Sequence, residues 1–142
     1  MNKKILIIFG TRPEAIKMAP IIIRLKKNTH FITKVCVTAQ HREMLDQVLD
    51  FFSITPDYDL NLMEKDQSLF KLTSNIFRNI ESVFAKFQPN YLLVHGDTTT
   101  AMSCAIAAYY AKIKIFHVEA GLRTYNKYSP FPEEINRTII SS

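Results

Sequence analysis

Short, near-continuous apolar runs alternate along this chain with longer segments in which apolar residues recur every three or four positions. The runs predict strands at residues 5–9, 34–38, 91–95 and 113–118, and the periodic segments predict helices at residues 13–27, 42–52, 67–87 and 98–112. A last helix is predicted to begin at Pro132, residues 53–65 are predicted to be a connection, and Pro20 predicts a kink or a break in the first helix. Buried strands that alternate with helices indicate an α/β fold, a Rossmann-like parallel sheet with helices on both faces.

The composition is that of an ordinary globular domain, with 142 residues, 47% hydrophobic and 22% charged. The net charge is +5, but the cations are scattered, which argues against nucleic acid and favours a small polyanionic ligand such as a nucleotide. Cys36 and Cys104 lack metal-ligand spacing, so we expect reduced thiols and no metal. No apolar run has the length of a membrane span or the pattern of a signal peptide, so we expect a cytoplasmic protein.

The chain has three glycines, and each follows a predicted strand: Gly10, Gly96 and Gly121. In an open parallel sheet, ligands bind beyond the carboxyl ends of the strands, and glycine permits a tight turn and close backbone approach there. Tight turns between strand and helix would by themselves also account for all three glycines. The residues beside them therefore decide whether a ligand site is predicted.

The turn after the first strand combines a helix cap with cations. Thr11 and Glu14 have the spacing of a capping box, and Pro13 suits the first turn of a helix. Arg12 lies at the same helix end, where the positive potential of the helix disfavours a cation. We therefore predict that Arg12 and Lys17 face an anion, either a phosphate or a developing negative charge.

Acidic residues follow the third and fourth predicted strands and open the last helix. A carboxylate at the end of a buried strand is costly unless it is paired or used, and carboxylates among cations have pKa values that separate into acid and base roles. The predicted cluster comprises Asp97, Glu119, Glu133 or Glu134, Arg12, Lys17, Arg123 and Arg137.

Two other interpretations of this cluster stay open. Asp97 is also a good N-cap for the helix that follows it, and a solvated network of salt bridges has the same sequence pattern. Among the histidines, His41 lies just beyond the second strand and is expected to line the pocket. His95 and His117 are interpreted as core histidines with satisfied ring nitrogens.

Five segments together resemble the non-hydrolysing UDP-N-acetylglucosamine 2-epimerases of bacteria. They occur in the order of that family along the whole chain, and several are long enough to make chance similarity implausible. They are FGTRPEAIKMAP at residues 9–20, TAQHREMLD at 38–46, VHGDTT at 94–99, HVEAGLRT at 117–124 and PEEINR at 132–137.

The resemblance implies the N-terminal half of a GT-B-type two-domain fold, with the active site in the cleft between two Rossmann-like domains. Residues 1–142 match the N-terminal domain, and the C-terminal UDP-binding domain has no counterpart in this chain. The last helix reaches Ser142 without a stop signal, which indicates that a longer chain was cut. The resemblance also implies a homodimer for the full-length protein and no cofactor.

The implied reaction inverts C2 of UDP-N-acetylglucosamine to give UDP-N-acetylmannosamine, by elimination of UDP and its re-addition to 2-acetamidoglucal. The family's catalytic carboxylates fall on Asp97, Glu119 and Glu133, and substrate-binding residues fall on Arg12, Lys17, His41 and Arg137. A positioned, desolvated carboxylate suits removal of the weakly acidic C2 proton, and cations suit the departing diphosphate. Half of the cleft is expected to be inactive alone.

Some members of the family are activated by a second substrate molecule, and Gln40, Arg42 and Glu133 lie in segments that resemble that region. This sequence departs from some members at Glu43, Asp66, Phe131 and residues 125–127, which bears on regulation more than on catalysis. Two alternatives remain: a fragment of a GT-B-type glycosyltransferase and a non-catalytic nucleotide-sugar-binding module. A nicotinamide-dependent oxidoreductase is disfavoured because the chain has no Gly-x-Gly-x-x-Gly segment.

Overall fold

The computed structural model describes residues 2–39, 42–62 and 64–142, and it contains a sheet flanked by helices. The strands are β1 (Lys3–Phe9), β2 (Phe31–Val37), β3 (Tyr58–Asp59), β4 (Tyr91–His95) and β5 (Lys114–Val118). The helices are α1 (Arg12–Lys26), α2 (Arg42–Phe51), α3 (Leu69–Phe87), α4 (Thr99–Tyr110) and α5 (Glu133–Ser141). None of the described helices is both long enough and apolar enough to cross a membrane.

The five strands form one parallel sheet in the order β3-β2-β1-β4-β5. From β1 the chain first moves outward through β2 to β3, and after α3 it returns to the other side of β1 to form β4 and β5. The strand order therefore reverses beside β1, and the loops after β1 and β4 diverge there. In sheets of this kind a ligand binds at that switch point. The prediction of a Rossmann-like α/β fold is confirmed.

The two faces of the sheet carry separate cores because side chains alternate along each strand. Leu6 and Ile8 of β1 face a core built with α3, α4 and the end of α5. Ile5, Ile7 and Phe9 of the same strand face a second core built with α1 and α2. Helices thus cover both faces, which is why the central strands are apolar throughout.

The predicted connection at residues 53–65 contains one strand that the sequence did not indicate. Tyr58 and Asp59 pair with Cys36 and Val37 at the edge of the sheet. This edge strand is too short to contain an apolar run. It is defined by its hydrogen bonds with β2 and not by burial, so the sequence pattern does not reveal it.

Of the kink or break predicted at Pro20, the break does not occur, since α1 runs without interruption from Arg12 to Lys26. Proline lacks the N–H that would bond to the carbonyl four residues earlier, here that of Ile16. Both Pro20 and Ile16 are exposed, so water can satisfy that carbonyl. The helix tolerates the proline because it lies on the solvent side.

Candidate active site

The turn after β1 is organised by a buried carboxylate. Glu14 is 1% exposed, and its Oε2 accepts hydrogen bonds from the backbone N–H of Gly10 (2.9 Å), the backbone N–H of Thr11 (2.8 Å) and the Thr11 hydroxyl (2.8 Å). Burial raises the pKa of Glu14, and these hydrogen bonds oppose the rise. The predicted capping box, with Thr11 at the N-cap and Glu14 three residues later, is confirmed.

Arg12 and Lys17, the two cations predicted to bind an anion, lie in different environments. Arg12 is exposed at the first residue of α1 and has no ion-pair partner among residues 2–39, 42–62 and 64–142. Lys17 lies one turn further along α1, where its Nζ is 3.5 Å from Oε2 of Glu119. The structure therefore brings Lys17 to the predicted acidic cluster, whereas the exposed Arg12 forms no ion pair with the described members of that cluster.

At the end of β4, Asp97 does not cap the helix that follows it. Thr98 is the N-cap of α4, with an extended backbone and a hydroxyl that accepts from the N–H of Ala101 at 3.0 Å. The carboxylate of Asp97 instead accepts a hydrogen bond from Nη2 of Arg137 at 2.5 Å. The N-cap interpretation of Asp97 is wrong because the adjacent threonine occupies the capping position and a distant arginine takes the carboxylate.

The end of β5 places Glu119 against the end of β4. The Nε2 of His95 lies 2.9 Å from Oε2 of Glu119, and Lys17 approaches the same oxygen. The backbone of Glu119 has a φ of 57°, a left-handed conformation that is uncommon for residues other than glycine. The hydrogen bond from His95 is the main cause that lowers the pKa of Glu119. Glu119 is therefore held as a carboxylate at the rim of the sheet.

Arg137 connects the two carboxylate-bearing loops. Its side chain is 4% exposed on α5, where Nη2 bonds Asp97 and Nη1 bonds the backbone carbonyl of Glu119. The neighbouring Asn136 donates from Nδ2 to the carbonyl of Asp97 at 2.9 Å. Arg137 was predicted to bind substrate, and the structure places its guanidinium inside the protein as a link between Asp97 and Glu119.

The second histidine of the region supports the glycine turn. The Nε2 of His117 is 2.6 Å from the carbonyl oxygen of Gly96, so Nε2 carries the proton and Nδ1 accepts from the Ser141 hydroxyl at 3.0 Å. Burial lowers the pKa of His117, which agrees with a neutral ring. Gly96 itself has a φ of 67°. Both ring nitrogens of His117 are bonded as predicted, although the residue is only half-buried. His95 is buried and is bonded through Nε2, which contacts the acidic cluster directly.

The adjacent glutamates at the start of α5 have separate environments. Glu134 is 4% exposed and accepts from Nε of Arg123 (2.8 Å) and from the backbone N–H groups of Thr124 (2.9 Å) and Tyr125 (3.1 Å). Oε2 of Glu133 is buried and has no hydrogen-bond partner within the described part of the chain. Glu134 thus anchors the loop before α5, a role that the sequence did not separate from that of its neighbour.

A pocket of about 280 Å³ lies beside these groups. It is lined by Asp97, Leu122, Arg123, Thr124, Pro130, Glu134 and Arg137. No group of three or more histidine, cysteine or acidic side chains in the described ranges could hold a metal ion. The site therefore offers carboxylates and cations at the carboxyl ends of β4 and β5, a set suited to moving protons beside an anionic ligand.

Of the residues in the predicted activator segment, Arg42 is described and begins α2. Gln40 and His41 fall outside the described residues. Arg42 donates to Asp59 through both of its Nη atoms, at 2.8 and 2.7 Å, and to Asn61 at 3.0 Å. The hydrogen bonds with Asp59 are the main cause that raises the pKa of Arg42.

Solved structures of similar sequence share this fold. UDP-GlcNAc 2-epimerase from Neisseria meningitidis, crystallised with UDP-GlcNAc, superposes with a TM-score of 0.94 and 58% identity over 97% of this chain and 37% of its own. The Methanocaldococcus jannaschii UDP-GlcNAc 2-epimerase, solved in complex with UDP-GlcNAc and UDP, gives a TM-score of 0.89 at 36% identity and covers 96% of this chain and 37% of its own. These neighbours belong to a GT-B fold family.

Curated relatives agree with the structural neighbours. The UDP-N-acetylglucosamine 2-epimerase of Salmonella borreze is 58% identical over 138 residues, which is 97% of this chain and 36% of that protein. The Escherichia coli K12 protein of the same name is 58% identical over 136 residues, 96% of this chain and 36% of its own length. The chain therefore spans little more than a third of these relatives, in their N-terminal portion. Residues 23–142 match the family model described as UDP-N-acetylglucosamine 2-epimerase, and the chain belongs to that family.

Proposed function

We propose that this chain forms the catalytic-rim half of a non-hydrolysing UDP-N-acetylglucosamine 2-epimerase, which interconverts UDP-N-acetylglucosamine and UDP-N-acetylmannosamine. The observation that carries the proposal is the 58% identity over 138 residues to a relative of that name. The link that Arg137 makes between Asp97 and Glu119 supports it, because inversion at C2 needs a proton to leave one face of the sugar and return to the other.

The proposed reaction begins with removal of the C2 proton by a carboxylate. The electron pair forms a C1–C2 double bond as the C1–O bond to UDP breaks, which gives 2-acetamidoglucal and UDP. The same UDP oxygen then adds back to C1, and a proton returns to C2 on the opposite face. Glu119 is suited to the role of base, because it is held as a carboxylate and its Oε1 makes no hydrogen bond to any described residue.

The other carboxylates and the cations have complementary proposed roles. Glu133 has a buried oxygen without a partner in the described ranges, which suits exchange of a proton with a bound ligand. Asp97 is oriented by Arg137 and completes the acidic set. Arg12 and Lys17 are proposed to bind the diphosphate, since Arg12 is exposed at the N-terminus of α1, where an anion is favoured. Arg137 is proposed to hold Asp97 and Glu119 for the substrate.

The remaining two thirds of the relatives' length is proposed to supply the contacts with uridine and most of those with the diphosphate. We therefore expect the 142-residue chain alone to be inactive, because half of a cleft cannot preorganise the diphosphate. His41 is proposed to line the substrate pocket. Activation by a second substrate molecule near Gln40 and Arg42, a homodimer of the full-length protein and a cytoplasmic location are proposed on the same family likeness.

The test compares this chain with a joined protein, in which the chain is followed by the remaining C-terminal portion of the Neisseria meningitidis relative. Each is incubated with UDP-N-acetylglucosamine in deuterated water and followed by proton NMR. We expect the joined protein to lose the H2 signal and form the manno epimer, and the chain alone to do neither. The Glu119→Gln variant of the joined protein, which keeps the shape of the side chain, should be at least about a hundredfold slower.

Other outcomes identify the alternatives. Turnover by the chain alone would overturn the expected need for a second domain. Transfer of the sugar to an acceptor without epimer formation would indicate a glycosyltransferase. Binding of UDP-N-acetylglucosamine by the joined protein without any reaction would indicate a non-catalytic module.

A further inference from the structure

Glu14 is a buried ionisable residue to which the proposed reaction gives no role. Both of its carboxylate oxygens accept hydrogen bonds although the residue is 1% exposed. Oε2 receives the three donors of the turn after β1, and Oε1 accepts from the hydroxyl of Thr98 at 2.7 Å. In a capping box, the glutamate side chain has to accept only the hydrogen bond from the backbone N–H of the N-cap residue, here Thr11. The bond between Glu14 and Thr98 is therefore not explained by capping.

The Thr98 contact joins segments that are 84 residues apart in sequence. The Thr98 hydroxyl donates its proton to Glu14 and accepts from the N–H of Ala101, so its single donor and one of its two acceptor positions are used. One carboxylate therefore connects the start of α1 with the start of α4. These are the two loops that diverge at the switch point of the sheet.

Each connected segment carries a predicted site residue next to the point of contact. Arg12 follows Thr11 at the start of α1, and Lys17 lies three residues after Glu14, where its ammonium group reaches Glu119. Asp97 directly precedes Thr98 and pairs with Arg137. The separation between the cations of α1 and the carboxylate of the β4 loop thus depends on the Glu14–Thr98 bond.

We propose that Glu14 is a positioning residue, whose carboxylate sets the cations of α1 relative to Asp97 through its bond to Thr98. This inference rests on the proposed epimerase function, because it assigns the cations to the diphosphate and Asp97 to proton transfer. A shift of about 1 Å between such groups lowers a rate by about a hundredfold, so one lost hydrogen bond far from the reacting atoms has a measurable effect.

The test uses variants of the joined protein that alter the bond from either side. Glu14→Gln keeps an oxygen for the three donors of the β1 turn but replaces the acceptor that faces Thr98 by an N–H₂ group, which can only donate to that hydroxyl, so the charge-assisted bond is lost. Thr98→Val removes the hydroxyl, and Thr98→Ser restores it. We expect the Gln and Val variants each to lower kcat by about 10- to 100-fold, the Ser variant to stay within about threefold of the parent, and the double Gln/Val variant to lose no more than either single one.

A matched control separates positioning from stability. Ser68 caps α3 through the N–H of Lys71, as Thr98 caps α4, but α3 carries none of the predicted site residues. Ser68→Ala should lower Tm to an extent similar to Thr98→Val and leave kcat unchanged. A fall in Tm without a fall in kcat for both Glu14→Gln and Thr98→Val would overturn the inference, as would multiplication of their effects in the double variant. If Glu14→Gln does not fold, the comparison of Thr98→Val with Thr98→Ser decides.

A second measurement keeps the inference separate from the proposed function. If the parent joined protein forms no epimer, the epimerase proposal fails, and amide NMR of the 142-residue chain tests the connection by itself. Thr98→Val should then shift the amide signals of Gly10 and Thr11, whereas Thr98→Ser and Ser68→Ala should leave them in place. Unchanged Gly10 and Thr11 signals in Thr98→Val would overturn the inference.

Discussion

His95 and Glu119 form a direct contact between the ends of two neighbouring strands, with Nε2 of the histidine 2.9 Å from Oε2 of the glutamate. His95 is paired in the sheet register with Val118, so Glu119 is the first residue beyond the paired region. Its left-handed backbone and its contact with His95 occur together at this turn. A residue that ends β4 thereby holds the carboxylate that follows β5.

The first prediction concerns the acidity of Glu119. Because the hydrogen bond from His95 is the main cause that lowers its pKa, His95→Leu should raise that pKa toward the ordinary value of 4.5. A carboxylate whose pKa is lowered on folding stabilises the fold at pH values above its ordinary pKa. This contribution is lost as the pH falls through the lowered pKa. Carbon-13 NMR titration of the glutamate carboxyl groups measures the shift.

His30→Leu is the matched control for this titration, because His30 is exposed and distant in sequence from Glu119. It should leave the Glu119 titration unchanged. In the joined protein, the acid limb of the kcat/KM profile should move to higher pH in His95→Leu if Glu119 acts as the base. An unchanged titration midpoint in His95→Leu would show that His95 does not set the acidity of Glu119.

The second prediction concerns Arg137. Its replacement by alanine leaves Asp97 without its cation and the carbonyl of Glu119 without a donor. Breaking a buried ion pair costs about 3–5 kcal/mol, and because the Asp97 side chain is 32% exposed we expect about 2–4 kcal/mol in urea denaturation. Arg137→Lys should recover part of this loss, since one ammonium group cannot reproduce both contacts. The exposed Arg24→Ala should change stability by less than about 0.5 kcal/mol, and an equal effect at both sites would contradict the prediction.

The third prediction concerns the loop that Glu134 anchors. Glu134→Gln replaces one acceptor oxygen by a donor. This donor faces either Arg123 and the N–H of Tyr125, which both bond Oε1, or the N–H of Thr124, which bonds Oε2. We expect the amide that faces it to exchange with deuterium on the order of tenfold faster, with a lower denaturation midpoint. Glu64→Gln, which removes an exposed ion pair with Lys71, should leave both quantities nearly unchanged. Protected Thr124 and Tyr125 amides in Glu134→Gln would refute the anchoring role.

The fourth prediction concerns the core between the sheet and α3. Leu92 is fully buried at the centre of β4, so Leu92→Ala should lower the free energy of unfolding by about 2–5 kcal/mol. Phe70 is 91% exposed on α3, and Phe70→Ala should change it by less than about 0.5 kcal/mol. Urea denaturation of both variants provides the measurement. A large loss for Phe70→Ala would mean that its side chain is covered in solution.

The elements that sequence reasoning located correctly are those whose buried positions are marked by apolar residues in the sequence itself. The strands at residues 91–95 and 5–9 are apolar on both faces, and α3 has regular helical spacing. The edge strand at Tyr58–Asp59 was missed because hydrogen bonds with β2 define it. A break, one of the two outcomes predicted at Pro20, does not occur there, and the sequence alone could not show that this helix face is exposed to solvent.

The sequence by itself determined the alternation of strands and helices, the two-sided sheet and the rim at which the acidic residues gather. Burial and local spacing are sufficient for these features. Tertiary structure alone decided which carboxylate has which partner, because the donors come from segments 24, 40 and 84 residues away, as for His95 with Glu119, Arg137 with Asp97 and Thr98 with Glu14. It also distinguished Glu133 from Glu134, since neighbours on a helix point in directions that only the packing of that helix assigns to solvent, ligand or loop.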